Sequence, residues 1–112
     1  VVYKPELQGC SKHHLAALRV GGESMEPVIP LGSIVVVDLD DREFIDKKVY
    51  CVNFPQAGGD IAAVKRVQKW NEGGFILISD NTAKFPPEIS HMDWKDLCVG
   101  RVVWMWRDIR NI

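Results

Sequence analysis

Short runs rich in valine and isoleucine, separated by glycine, proline, asparagine and aspartate, recur along the chain and limit what it can fold into. β-Branched and aromatic side chains suit a pleated, half-buried surface, and the interruptions are turn formers. The runs at 17–21, 33–38, 47–54, 60–70, 75–79 and 97–107 read as strands. Asp40-Asp41 closes one of them, while Pro55-Gln56-Ala57-Gly58-Gly59-Asp60 and Asn71-Glu72-Gly73-Gly74 read as hairpin loops. Helix signals are scarce, and only KHHLAAL at 12–18 could wind into a short turn. Phe75-Ile76-Leu77-Ile78 has no polar side and is expected in the interior. In the closing strand, strict alternation puts Val102, Trp104 and Trp106 on one face and Val103 and Met105 on the other. One sheet face can bury only one of those sets, so the other is expected against a partner or a covering segment. The fold class that follows is all-β, a compact, curled, antiparallel sheet with little helix. Residues 1–16 are expected to be a linker or N-terminal arm, and 17–112 the domain.

The 112 residues suit one domain with one core, and 46% hydrophobic against 26% charged content is that of a globular rather than a disordered chain. A net charge of −1 offers no electrostatic match to nucleic acid. Apolar runs such as Ile34 to Val37 are too short to cross a bilayer, and nothing reads as a signal peptide, so no membrane contact and a cytoplasmic location are expected. Cys10, Cys51 and Cys98 are odd in number and without a CxxC pair, which fits a reducing compartment rather than a disulfide framework. His13, His14 and His91 lack metal-ligand spacing, and neither a metal nor a cofactor is expected.

The residues with chemical potential are a serine and a lysine. In VGGESMEPVIPLGSIVVVD, residues 20–38, Ser24 stands in a turn between glycines and prolines, just ahead of a strand. A serine hydroxyl is a poor nucleophile at neutral pH and needs a base. His13 and His14 sit close before it, His91 lies in a loop, and no GxSxG elbow is present, so a hydrolase triad has little support. The other base that chemistry allows is a neutral lysine. Lys65 has Ile61, Ala63 and Val67 as same-face neighbours on a strand, surroundings that can desolvate an amine and lower its pKa. Arg66 points to the opposite face and cannot lose its proton. Spacing alone leaves a second reading open, in which Lys65 lies along a solvated strand face.

The chain resembles the LexA-like self-cleaving repressors, which belong with signal peptidases to a Ser–Lys peptidase superfamily. Gly22-Glu23-Ser24-Met25-Glu26-Pro27, followed by Ile29-Pro30, Gly32 and Val35-Val36-Val37-Asp38, is similar to the family's nucleophile box. Val64-Lys65-Arg66-Val67 is similar to its lysine box, Leu77-Ile78-Ser79-Asp80-Asn81 to its strand-and-loop segment, and Val99 to Trp104 to its closing strand. The resemblance implies Ser24 as nucleophile, Lys65 as general base, and the backbone N–H groups of Glu23 and Ser24 as oxyanion donors. It implies Ser79-Asp80-Asn81 as a structural turn supporting the cleft. The partners it implies are a second copy of the chain, the protein's own cleavage segment as peptide substrate, a recombinase filament as inducer, and DNA through an N-terminal helix-turn-helix domain outside this sequence. The family cuts at Ala-Gly or Cys-Gly, and residues 1–23 contain neither dipeptide. Three functions therefore stay open: a self-cleaving repressor domain, a repressor domain that only oligomerises, and a signal-peptidase-like protease acting on other chains.

Overall fold

A computed structural model describes residues 14–56 and 59–106, with the side chains of 55–60 excluded. The expected arm up to residue 13, the tip of the 55–60 loop and Arg107 lie outside the described residues. The elements are β1 (Leu15–Arg19), β2 (Ile34–Asp38), β3 (Lys48–Gln56), β4 (Gly59–Lys69), β5 (Phe75–Ile78), β6 (Glu88–Ser90), a one-turn helix α1 (Trp94–Leu97) and β7 (Cys98–Trp106). They form one seven-stranded sheet in the order β1-β2-β7-β3-β4-β5-β6, with every neighbouring pair antiparallel. The fold is all-β.

Several sequence expectations change. The segment expected to wind at 12–18 is extended from Leu15 onward, because pairing with β2, Leu15 opposite Asp38 through Arg19 opposite Ile34, outweighs a local helical tendency. The Pro55–Asp60 loop is tighter than expected, since Pro55 pairs with Asp60 and Gln56 with Gly59. β5 does lie inside the sheet, between β4 and β6, with Leu77 buried and its neighbours half-buried. β6 and α1 are too short to leave a periodic signal.

Strand parity divides the core between the two faces of the sheet. One face carries Val35, Val49, Val64, Val102 and Leu18, against which Met25 and Ile29 pack from the loop before β2. The other carries Tyr50, Val52, Val67 and Leu77, covered by Leu97 of α1 and by Phe44, Phe75 and Trp94. A smaller group of Leu15, Val36, Val103 and Trp106 lies toward the β1 end. The Trp94 ring stands edge-on to Tyr50 and Phe44 at centroid distances of 4.9 and 5.1 Å, a favoured aromatic geometry.

β7 breaks strict alternation twice. Its register shifts by one against β3 between Cys51 and Val52, and again against β2, where Val36 faces Trp104 but Val37 faces Val102. Val103 is the extra residue of the second bulge, so Val102 shares a face with Met105, and Val103 packs with Trp106. That corrects the alternating sets expected for 102–106. Between the bulges sits Gly100, where an added Cβ would lie 2.4 Å from the Asp38 carbonyl oxygen and 2.8 Å from Val37 Cγ1. Both contacts belong to β2, so Gly100→Ala must push two paired strands apart. We expect it to lower stability by about 1–3 kcal/mol, seen as a reduced denaturant midpoint.

Candidate functional site

The loop from Val20 to Ser33, which carries Ser24, is closed at its neck by backbone bonds. Val20 N–H donates to Ser33 O at 2.8 Å and Gly32 N–H to Val20 O at 2.9 Å. Gly32 has φ 86°, a left-handed conformation that suits a residue without Cβ. Inside the loop, Glu26 N–H donates to Glu23 O at 3.1 Å and Ile29 N–H to Met25 O at 2.8 Å, winding residues 23–29 into consecutive turns. Met25, fully buried, and Ile29, nearly so, anchor the turns in the core, while Ser24 beside them stays half-buried. The sequence places a hydroxyl here on a segment with little freedom to move.

Lys65 lies on β4 opposite Tyr50 of β3. Its Nζ donates to Ser79 Oγ at 2.7 Å and lies 5.5 Å from the centre of the Phe54 ring. Burial pushes the amine's pKa down, and the charge of Glu88 on β6 opposes this in part. The expected desolvation of Lys65 is therefore present, with the Phe54 ring of β3 beside the amine. Arg66 points to the other face, with Nε and Nη2 each 2.9 Å from a carboxylate oxygen of Asp80 and Nη1 2.8 Å from Lys47 O.

Residues 79–81, where the chain leaves β5, join the lysine strand to the serine turn. Ser79 is 3% exposed and accepts the Lys65 bond. Asp80 is held by Arg66, and its N–H faces Met25 Sδ at 3.5 Å. Asn81 donates its backbone N–H to Ser24 O at 2.9 Å and Nδ2 to Glu23 O at 3.1 Å. Among the described residues, Lys65 directs its hydrogen bond to Ser79 and not to Ser24. Ser24 and Lys65 thus meet the same three-residue segment from its two ends.

Ser79 is the residue that reading for a nucleophile and a base alone passes over. The signal was in the 71–74 loop: Trp70 N–H bonds to Gly74 O at 3.1 Å, and Gly73 and Gly74 both have positive φ. A hairpin centred there pairs Lys69 with Phe75 and Arg66 with Ile78, which sets Ser79 opposite Lys65.

Among the described residues the cysteines and histidines offer no alternative nucleophile or base. Cys51 and Cys98 are free and buried, and burial pushes the Cys51 thiol up to about 11, keeping it protonated at neutral pH. His14 is exposed and pairs with Asp40, and His91 is exposed near the Trp70 ring. Among the described residues no group of three His, Cys, Asp or Glu side chains could hold a metal ion, and no helix is long and apolar enough to cross a membrane.

The sequence model of the family described as Peptidase S24-like matches residues 3–103. The chain belongs to the Peptidase S24-like family. It is also 36% identical, over 84 residues, to the repressor protein CI of Enterobacteria phage phi80, covering 74% of this chain and 33% of that repressor. The chain thus spans about a third of the length of the curated relative it matches. The Peptidase S24-like match takes in the serine turn, the lysine strand, the 79–81 segment and most of β7, the parts that carry the geometry above.

Proposed function

We propose that this chain is the C-terminal domain of a phage-type repressor, the domain beginning with β1 at Leu15 rather than at residue 17, and that it cleaves its own polypeptide with Ser24 as nucleophile and Lys65 as base. The observation that carries the reading is the partly buried Lys65 amine, its charged form disfavoured, held against a segment that also grips the Ser24 turn. A neutral lysine keeps one lone pair: it can donate one N–H to Ser79 and still accept the Ser24 proton. Oγ of Ser24 then attacks the scissile carbonyl carbon, and Lys65 returns the proton to the leaving amine. Water, deprotonated by Lys65, hydrolyses the ester that remains on Ser24. The N–H groups of Glu23 and Ser24 are assigned to the oxyanion; the carbonyls of those residues are taken up by Glu26 and Asn81. Ser79 is unsuited to be the nucleophile, because at 3% exposure no substrate carbonyl reaches it.

The likeness to the phage phi80 repressor supports the repressor assignment. On this reading DNA is contacted by a domain outside these residues, the substrate is the protein's own cleavage segment, a recombinase filament is the inducer, and the protein is cytoplasmic. The full-length protein, incubated between pH 7 and pH 10 and followed by mass spectrometry, should cleave faster as pH rises. A full-length chain that stays intact across that range would exclude self-cleavage and leave the oligomerisation role.

A specific feature supports that second role. Trp104 and Met105 are 48% and 41% exposed although they lie in the middle of a β7 run paired to β2. Among the described residues, β7 runs on past its last pair with β3, Arg101 opposite Tyr50, and pairs there with β2. We assign this end of β7 to self-association, most simply as a symmetric dimer. Trp104→Glu is expected to weaken the dimer at least tenfold with little change in stability, whereas Trp106→Glu, which packs with Leu15 and Val36, should lower stability by about 2 kcal/mol or more. Sedimentation of the wild type as a monomer at high micromolar concentration would rule the dimer out.

A further inference from the structure

We infer that Asn81 is the residue that fixes the attack geometry of Ser24, an inference that rests on the peptidase reading above. A peptide unit is planar, so gripping its carbonyl oxygen also sets the direction of its N–H. Asn81 Nδ2 holds the oxygen of the Glu23–Ser24 peptide at 3.1 Å, and Asn81 N–H holds that of the Ser24–Met25 peptide at 2.9 Å. These are the two planes that flank Ser24. With both held by one residue, φ and ψ of Ser24 are set, and with them the direction of its Cα–Cβ bond. The first of the planes carries the Ser24 N–H assigned to the oxyanion.

Asn81 is itself well placed to act as a reference point. Its carbonyl oxygen accepts N–H bonds from Lys84 at 3.3 Å and Phe85 at 3.0 Å, closing a turn behind it. Asp80, one residue earlier, is clamped to β4 by the two Arg66 bonds. Position is thus passed from the β4 strand, through Asp80 and Asn81, to the serine. Ser79 and Asn81 divide the work: the first holds the base, the second the nucleophile. Displacement of a reacting group by about 1 Å can cost about a hundredfold in rate.

The division gives the test. Asn81→Asp keeps the shape and the backbone N–H, but removes the Nδ2 donor and sets a carboxylate oxygen against Glu23 O. Asn81→Ala removes the donor without adding charge and serves as the second variant should the first fold poorly. Labelling of Ser24 by a fluorophosphonate, followed from pH 7 to pH 10 on the full chain, is expected to slow about tenfold to a hundredfold in both variants, with the midpoint of its pH profile unmoved. Ser79→Ala, by contrast, should move that midpoint. Amide exchange at Glu26, whose N–H rests on Glu23 O, should quicken while β4 and β5 keep their protection. Labelling within about twofold of wild type, or a midpoint that moves with the rate, would overturn the inference. A wild type that never labels would refute the peptidase reading instead. In that case unchanged exchange at Glu26 would also overturn the role of Asn81, and faster exchange would uphold its hold on the turn.

Discussion

Ser24→Ala is expected to stop cleavage of the full-length protein while changing stability by less than about 1 kcal/mol. The two effects separate because the residue's structural tie is made by its backbone: Ser24 O accepts the Asn81 N–H, and alanine keeps that bond. The loop's anchors, Met25 and Ile29, are untouched. Removing the nucleophile of a peptidase leaves at most a residual rate several orders of magnitude down, roughly 10⁴-fold or more. The paired measurement is the intact fraction by mass spectrometry after days at pH 9, with a denaturant midpoint for each protein. A variant processed at the wild-type rate would remove Ser24 from the chemistry.

Lys65→Met should abolish cleavage just as fully, and it carries a second signature. Burial lowers the folded-state pKa of Lys65, so between that value and the unfolded one, about 10.4, the unfolded chain binds more protons. Stability of the wild type should therefore rise with pH across that window. The cost of the buried charge is present in full below the folded pKa and gone above the unfolded one. Methionine has no such charge, but it also strips Ser79 of its donor, a loss that does not vary with pH and can amount to about 1–3 kcal/mol. The informative quantity is the change in the difference: the variant should gain on the wild type at pH 6 relative to pH 10. Glu88 reduces the effect by favouring the charged amine, so Glu88→Gln should enlarge the wild-type pH dependence. Equal stability differences at the two pH values would mean that Lys65 is an ordinary solvated lysine.

Much of the fold could be read from the chain because its strands follow side-chain chemistry. Val35-Val36-Val37, Lys48 to Phe54 and Val64 to Val67 pair where their composition suggests. What could not be read came from long-range pairing. Leu15 to Arg19 looks as helical as it does extended until β2 lies beside it, and the bulge at Val103 depends on the mismatch between β2 and β7 rather than on its own sequence. β6 has only three residues and follows Pro86-Pro87, so its existence rests on β5 needing a neighbour. In the site, Ser24 and Lys65 stood out through their likeness to the serine and lysine boxes of a known family, since spacing alone left Ser24 an ordinary turn residue and Lys65 open to a solvated reading. Ser79 and Asn81 were legible only as part of a turn supporting the cleft, since serine and asparagine after a strand are ordinary turn residues, and only distances to Lys65, Glu23 and Ser24 give each its part.

The two neighbouring pairs between β4 and the end of β5, Lys65 with Ser79 and Arg66 with Asp80, face opposite sides of the sheet. Together they act as a lock on hairpin alignment. A slip by one residue would turn Lys65 and Arg66 to the wrong sides at once, and a slip by two would set Lys65 against Leu77 or Asn81 in place of Ser79. A one-residue slip parts Lys65 and Arg66 from their acceptors, and a slip onto Leu77 leaves the Lys65 amine without one, so these mispairings are disfavoured by the same side chains that build the site. If the chain does cut itself as proposed, this ties competence to folding fidelity: molecules with a misaligned β4–β5 hairpin would have no base in place, and cutting would count only the chains that had paired correctly.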